Sequence, residues 1–398
     1  MNSPAVTGPF GLGAALAERE QANLLRRRIA TDGASGGRLR VAGRDYLNFS
    51  ANDYLGLADH GAIKAAFNAG IERYGTGSGA SPLVTGYCRA HQQLEETLAE
   101  WLGVEAVLLF NCGFSANQAV LKALLGKEHL LWQDKLIHAS LQEMGSQLPC
   151  KMKRFAHNDM AALERQLEPN RGLIVSEGVF SMDGDQAPWG ELAALAARSG
   201  NWLMIDDAHG LGVQGPEGRG TLAAQGVNPA SVHIQMGTFG KALGVAGAFV
   251  GGSRELVAYL VNFARHYVYS THMPAAQACA VSKSIELVRA AEDARAHLGQ
   301  LIARFRQGAK AQGWQLGASD TPIQPLLVGE SVAALQLAER LRDRGIWAGA
   351  IRPPTVPVGT ARLRITLSAA HSEQDVDRLL DALGVCPAVT TLGEAHYD

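Results

Sequence analysis

GLIVSEGVFSMDGDQAPWGELAALAARSGNWLMIDDAHG, residues 172–210, decides the fold. An apolar run, GLIVSEGVF, is followed by the helical pattern ELAALAARSG. A second apolar run, NWLMI, then goes straight into two aspartates and a histidine. Strand, helix and strand in that order make a parallel pair joined by its crossover. WLMI carries no polar alternation, which suits a strand covered on both faces.

The same alternation extends in both directions. Upstream, VEAVLLF (104–110), LLWQD (130–134) and KMKRFA (151–156) are each followed by a helical stretch: SANQAVLKALL, ASLQEMGSQL and MAALERQLE. Downstream, VHIQMGTF (232–239) and AGAFVGG (246–252) have strand length and flanking glycines. The expectation is an α/β fold with a mostly parallel sheet covered by helices. After it comes a long helical pattern over 281–312. IQPLLVG (323–329), a helix over 331–345, IWAGAIRPPT (346–355), ARLRITLSA (361–369) and a final helix from Ser372 complete a smaller C-terminal α+β unit. The SEQD start of that last helix has the form of a capping box. The first 50 residues supply a helix and a strand pair, RLRVAGRDYLNF, turned at Ala42-Gly43. Three parts are therefore expected: an N-terminal segment 1–50, a large domain 51–285 and a small domain 286–398.

The 398 residues are 47% apolar and 19% charged, a soluble globular composition. A net charge of −2 argues against general nucleic-acid affinity, and Arg26-Arg27-Arg28 is the one dense basic cluster. No run of 18 apolar residues suggests a membrane span, and MNSPAVTGPFGLG lacks the parts of a secretory signal. Cys88, Cys112, Cys150, Cys279 and Cys386 are scattered and without a C-x-x-C pair. They suit a reducing cytoplasm and argue against a zinc cluster.

Several formal motifs fail on context. Gly210-x-Gly212-x-x-Gly215 follows a strand, but PEGRG follows it instead of a helix to receive a pyrophosphate. Gly33-x-Ser35-x-Gly37 has no strand before it, so it is no nucleophile elbow. Gly240-Lys241 is not a P-loop, and the histidines contain no H-E-x-x-H, so no metal is expected.

The chemistry lies elsewhere. Asp206 and His209 leave the carboxyl end of a central strand, where open parallel sheets place ligands. One lysine, Lys241, stands in TFGKALGVAG (238–247) between two apolar strands. A lysine that forms a Schiff base needs a carbonyl cofactor, and pyridoxal phosphate needs a carboxylate at its ring nitrogen. Asp206 and Lys241, on consecutive strand ends, are that pair. Gly113 and Phe114 begin a helix after a strand, so their N–H groups suit a phosphate. His138 begins another and suits stacking on a pyridine face.

LNFSANDYLGL, GSGASPLVTGY, FNCGFSANQAV, EGVFSMDGD, IDDAHGLG, GTFGKALG and VYSTHMP occur in family order and resemble the α-oxoamine synthases. The resemblance runs from about residue 15 to 383. It implies a fold-type I pyridoxal-phosphate transferase that condenses an amino acid with an acyl thioester and releases CO2. RFAHND (154–159) and IRPPTVPVGTARLR (351–364) look most like the biotin-pathway member, which joins L-alanine to a pimeloyl thioester of coenzyme A or acyl-carrier protein. By resemblance, Lys241 binds the cofactor and moves the Cα proton, Asp206 pairs the ring nitrogen and His209 meets the phenolic oxygen. His138 stacks on the ring. Gly113, Phe114, Ser181 and Thr238 complete the cofactor site. Thr271 reaches a phosphate in the neighbouring subunit, so a homodimer with sites at its interface is implied. Asn52 and Arg364 match contacts to the substrate carboxylate, and Arg26, Arg352 and Thr355 match positions near the acyl substrate. Cys112 and Leu243 depart from common family choices without removing a required group.

Two alternatives stay open at this point. Another member of the family would use glycine or serine with a different acyl thioester, and the acyl pocket alone separates these. A non-catalytic scaffold would keep the fold without the chemistry, and the joint presence of Lys241, Asp206 and His138 argues against it.

Overall fold

The computed structural model describes residues 10–22 and 24–385. Seven strands form the central sheet: β1 (Ala106–Phe110), β2 (Leu130–Asp134), β3 (Lys151–Phe155), β4 (Gly172–Glu177), β5 (Trp202–Asp206), β6 (Ile234–Thr238) and β7 (Ala248–Gly252). Their spatial order is β1-β7-β6-β5-β4-β2-β3. The β2–β3, β2–β4, β4–β5 and β5–β6 pairs are parallel. Only β7 runs the other way, antiparallel to both β6 and β1. Six carboxyl ends therefore open on one edge of the sheet.

Side chains of successive strand residues go to opposite faces. Leu173, Val175 and Met204 join a core with Val120 and Leu121 of the helix Gly113–Leu124 and Leu141 of the helix Ala139–Gln147. Ile174, Leu203 and Ile205 join another with Trp189, Leu192 and Leu195 of the helix Trp189–Ser199. Both faces are thus apolar, which is why β4 and β5 show no polar alternation.

Two expected elements are divided. The pattern over 281–312 belongs to two helices, Ala275–Arg289 and Glu292–Ala311. Arg289 closes the first, and Glu292 and Asp293 open the second. Each charge favours a helix end over a helix interior. IWAGAIRPPT also splits. Ile346–Trp347 pairs with Leu47–Asn48 of the N-terminal hairpin, whereas β9 (Gly349–Ile351) joins β8 (Ile323–Gly329) and β10 (Ala361–Thr366) in a three-stranded antiparallel sheet. The hairpin turns at Ala42 and Gly43, both at positive φ (48° and 75°), as a two-residue connection requires. The capping box at Ser372 and Asp375 forms. MAALERQLE yields only the short helix Met160–Glu164.

One contact fixes the strand ends that face the site. Asp207 accepts from the Thr221 N–H at 2.7 Å and its hydroxyl at 2.6 Å. Gly178 donates its N–H to the Asp206 carbonyl at 2.8 Å. A Cβ on Gly178 would stand 2.0 Å from Asp207 Oδ1, and one on Gly210 2.1 Å away. We expect Gly178→Ala to destabilise the fold by about 2–3 kcal/mol, the scale of an overpacked core. Chemical denaturation checks this, and an unchanged midpoint would mean that the Asp207 contact yields freely.

Candidate functional site

A cavity of about 170 Å3 opens at the carboxyl ends of the strands, lined by Gly113, Phe114, Asn117, His138, Glu177, Asp206, Ala208, His209, Met236, Thr238 and Lys241. Seven residues expected from the sequence meet here: Gly113, Phe114, His138, Asp206, His209, Thr238 and Lys241. Asp206 ends β5 and His209 follows it through a turn. Lys241 lies in the β6–β7 connection, held by Phe239 N–H to Gly247 O and Gly244 N–H to Lys241 O, both 2.9 Å. That connection needs Gly244, which has φ of 66° and lies so close to Ala58 that a Cβ would fall 2.5 Å from its nitrogen.

Two hydrogen-bond chains organise the site. In the first, Asn117 Nδ2 donates to Asp206 Oδ2 at 2.7 Å and to Ser140 Oγ at 2.9 Å. The Ser140 hydroxyl lies 2.8 Å from His138 Nδ1, which also caps its helix by accepting from Ser140 N–H. The Ala208 N–H donates to Asp206 Oδ1 at 3.1 Å. In the second, Tyr54 Oη lies 2.7 Å from His209 Nδ1 and 3.3 Å from Asn52 Oδ1. Asn52 Oδ1 accepts from Arg364 Nη1 at 3.2 Å, and Arg364 Nε donates to the Ser181 carbonyl at 2.6 Å.

The electrostatics follow from burial. Burial pushes Glu177 well above the ordinary carboxylate range, and neighbouring Asp206 pushes the same way. Burial lowers His209 well below its usual value, helped by Lys241 and Arg364. Its Nδ1 shares a hydrogen bond with the Tyr54 hydroxyl, which leaves Nε2 as the ring nitrogen turned to the cavity. Burial also lowers His138. It brings the Lys241 ammonium down to about 8, against the pull of Asp206 and Glu177. An amine at that value is about one-tenth unprotonated at pH 7, a far larger free share than an ordinary lysine has.

The remaining expected residues lie outside this cavity. Ser181 enters the second chain through its carbonyl. Thr271 is exposed, with its carbonyl accepting from Asn111 Nδ2 at 2.8 Å. Arg26, Arg352 and Thr355 do meet each other, in a second pocket of about 240 Å3 with Arg19 and Leu24. Arg26 is exposed, and its Nη2 lies 3.5 Å from Thr355 Oγ1. Ala350 and Ile351 of β9 line the second pocket, and on the neighbouring β10 Arg364, which the second hydrogen-bond chain joins to His209, faces Gly349. Arg352 stands three residues beyond Gly349, roughly 10 Å at a strand's rise. Among the described residues no cluster of three metal-ligating side chains occurs. Cys88, Cys112, Cys150 and Cys279 carry free thiols, and Cys386 lies outside the described residues.

Asn117, Ser140, Glu177, Tyr54 and Arg19 are site or pocket residues that the sequence reading did not single out. Glu177 had a signal: it is the lone acid at the end of an apolar strand, as Asp206 is. Asn117 is a polar residue on the buried face of an otherwise apolar helix. Arg19 had none beyond its charge.

The residues present fit pyridoxal phosphate. The helix Gly113–Leu124 starts without a side-chain cap, leaving first-turn N–H groups for an anion. Glu177 Oε1 and Asn117 Oδ1 line the cavity, are buried and have no hydrogen-bond partner. An amine and an acceptor-only carboxylate complete the donor set that the cofactor requires.

Residues 44–383 match the family model of aminotransferase class I and II. The chain is 88% identical to the 8-amino-7-oxononanoate synthase of Aeromonas hydrophila, over 100% of both chains. It is 52% identical to that of Cronobacter sakazakii, over 94% of this chain and 97% of the relative. Among solved structures, SPT with PLP internal aldimine superposes with a TM-score of 0.89 at 27% identity, covering 96% of this chain and 98% of that one. The 8-amino-7-oxononanoate synthase of Francisella tularensis gives a TM-score of 0.76 at 27% identity, covering 85% and 96%. The chain therefore belongs to the aminotransferase class I and II family and, within it, to the 8-amino-7-oxononanoate synthases, with the fold of a fold-type I transferase.

The lowered Lys241 value generates a pH expectation. In the cofactor-free chain, labelling of Lys241 by a small amine-reactive reagent should rise with a midpoint near 8. Asp206→Asn removes a charge that favours the ammonium, so its midpoint should move lower still. Peptide mass spectrometry across a pH series measures both, and a midpoint near that of a free lysine would contradict the burial argument.

Proposed function

We propose that this chain condenses L-alanine with a pimeloyl thioester, releasing CO2 and the free thiol and forming 8-amino-7-oxononanoate. The observation that carries this reading is that Lys241 and Asp206 open on one cavity while an arginine-lined pocket is built on the strand that pairs with that of Arg364. The cofactor is pyridoxal phosphate, which when bound supplies a sink for the electron pair left on the alanine Cα.

Each residue then has a task. Asp206 faces the ring nitrogen and keeps it protonated, with Asn117 and Ala208 fixing its carboxylate. His209 Nε2–H donates toward the phenolic oxygen, its ring set by Tyr54. His138 covers one ring face, held by Ser140. Arg364 and Asn52 hold the alanine carboxylate. Lys241, as the free amine, removes the Cα proton. Cα then attacks the thioester carbonyl carbon, the carbon–sulfur bond breaks and the thiolate leaves, taking its proton from solvent. The alanine carboxylate departs as CO2, and the Lys241 ammonium returns a proton to Cα. The ribbon spacing between Arg364 and Arg352 is comparable to an extended seven-carbon chain. That match supports Arg26, Arg352 and Thr355 as the residues that meet the far carboxylate of the pimeloyl group.

The reading includes a homodimer. Thr271 is exposed and faces no part of its own cavity. Val84, Tyr269 and Phe114 are also exposed, at 74%, 71% and 42%, an apolar set that a second copy would cover. The carrier is coenzyme A or acyl-carrier protein, and the enzyme works in the cytoplasm, where both occur. No helix among the described residues is long and apolar enough to cross a membrane.

Lys241→Ala should lose the cofactor's visible absorbance band and all turnover, and normal turnover in that variant would refute the role of Lys241. Arg26 is exposed, so its effect should be modest. Arg26→Ala should lower kcat/KM for the pimeloyl thioester about five-fold, the upper range for an exposed ion pair. A thioester of equal length with a methyl end should be a poor substrate and little changed by the mutation. Equal losses on both would place Arg26 at the carrier instead of the acyl carboxylate.

A further inference from the structure

Behind the cavity lies a cluster that none of the roles above uses. His157 Nδ1 stands 2.9 Å from Asp134 Oδ1, and its Nε2 stands 2.6 Å from Asp185 Oδ2. Both partners are carboxylates. Asp134 accepts elsewhere as well, from the Leu136 N–H at 2.8 Å and the Asn158 N–H at 2.9 Å. Asp185 Oδ2 also accepts from Asn158 Nδ2 at 3.1 Å. Two ring nitrogens that each face an acceptor must each carry a hydrogen, which makes the ring an imidazolium. Phe180 meets it edge-on, with centroids 4.4 Å apart at 85°.

The three groups sit on three different loops. Asp134 ends β2, and the chain runs from it directly to His138. His157 follows β3. Asp185 lies in the loop after β4 that carries Ser181. That loop is gripped from its other side by Arg364 on the Ser181 carbonyl and by Arg362 on Asp183.

We propose that His157 is a positioning residue: its cation straps the segment leading to His138 to the loop carrying Ser181 and so holds His138 in the cavity wall. The proposal rests on the reading that His138 faces the cofactor. Burial opposes the charge on His157, but hydrogen bonds and attraction from Asp134 and Asp185 outweigh it and raise the ring to about 10. The strap's stabilisation is therefore complete below the unfolded value near 6.5 and disappears as pH rises through about 10. It stays closed across the neutral range, so it holds the site without acting as a switch. Removing one partner of such a buried cluster leaves uncompensated charge behind, which is the expensive way to break it.

The test has two readouts besides turnover. In the cofactor-free chain, hydrogen exchange should accelerate in His157→Gln across 134–140 and 180–186, well beyond the mutated loop. In titrations with pyridoxal phosphate, the same variant should bind about 10-fold more weakly, the scale expected when a supporting contact lets a site drift by part of an ångström. His157→Arg, which restores a cation with several donors, should recover part of that loss. Asp185→Asn, a milder change, should show the same exchange pattern at smaller amplitude and serves if His157→Gln does not fold. Faster exchange confined to residues near 157, with unchanged cofactor affinity, would overturn the proposal even if thermal stability fell. A parent chain that failed to bind pyridoxal phosphate would refute the functional reading, while the exchange experiment would still decide whether His157 ties the two loops.

Discussion

Two carboxylates and an amine share one buried cavity, and the rest of the molecule is arranged around that fact. Glu177 and Asp206 face each other in register at the ends of adjacent parallel strands. Lys241 comes to them from the next connection. Water cannot screen these groups, so they cannot all carry full charge at ordinary values. The outcome is an uneven division: burial pushes Glu177 well above the ordinary carboxylate range, and Lys241 is brought down to about 8. Asp206 has the Asn117 and Ala208 donors at 2.7 and 3.1 Å. A sheet whose strands end together is what makes this crowding possible, and glycines at 178 and 210 allow the backbone behind it to close.

The constraint spreads through hydrogen bonds that cross the fold. From Asp206 the chain of contacts runs through Asn117 and Ser140 to His138. From His209 it runs through Tyr54, Asn52 and Arg364 to Ser181. The second path joins the N-terminal segment, the central sheet and the C-terminal sheet at one point. This accounts for a hairpin near residue 40 pairing with a strand at 346–347. The first and last parts of the chain must meet beside the cavity if Asn52 and Arg364 are to touch.

Much of this was legible in the sequence. Six strand segments of the large sheet were, because buried strands are mostly apolar runs, and KMKRF was read from its place in the alternation of strands and helices. Lys241 and Asp206 were, because each is a charge where such a run ends. Asn117 and Tyr54 were not singled out, although both lie in stretches that carry the family resemblance. Their work is to touch another residue, and a partner such as Asp206 or His209 is set by the fold and not by sequence spacing. The break at Ala290–Ala291 was hidden because alanine suits either side of a helix end. Ile346–Trp347 and Gly349–Ile351 looked like one strand because nothing local shows that consecutive residues serve different sheets. Ser181 and Thr271 carry no periodic signal, and their places depend on loops.

The division of labour between the two pockets explains why cofactor residues do not distinguish relatives. In the proposed reading the groups around Lys241 handle a ring, an amino acid carboxylate and a proton, needs that do not depend on the acyl chain. A serine palmitoyltransferase superposes with a TM-score of 0.89 at only 29% identity, so the same frame serves another acyl transfer. In the proposed reading what differs lies where the acyl chain ends, at the pocket that Arg19, Arg26 and Arg352 line. Three guanidinium groups favour an anionic end, for which a methyl end offers no compensating contact. In the proposed reading the β9–β10 ribbon sets the distance between that end and Arg364. Chain length and terminal charge would then be read together, by one element that would also hold the substrate carboxylate.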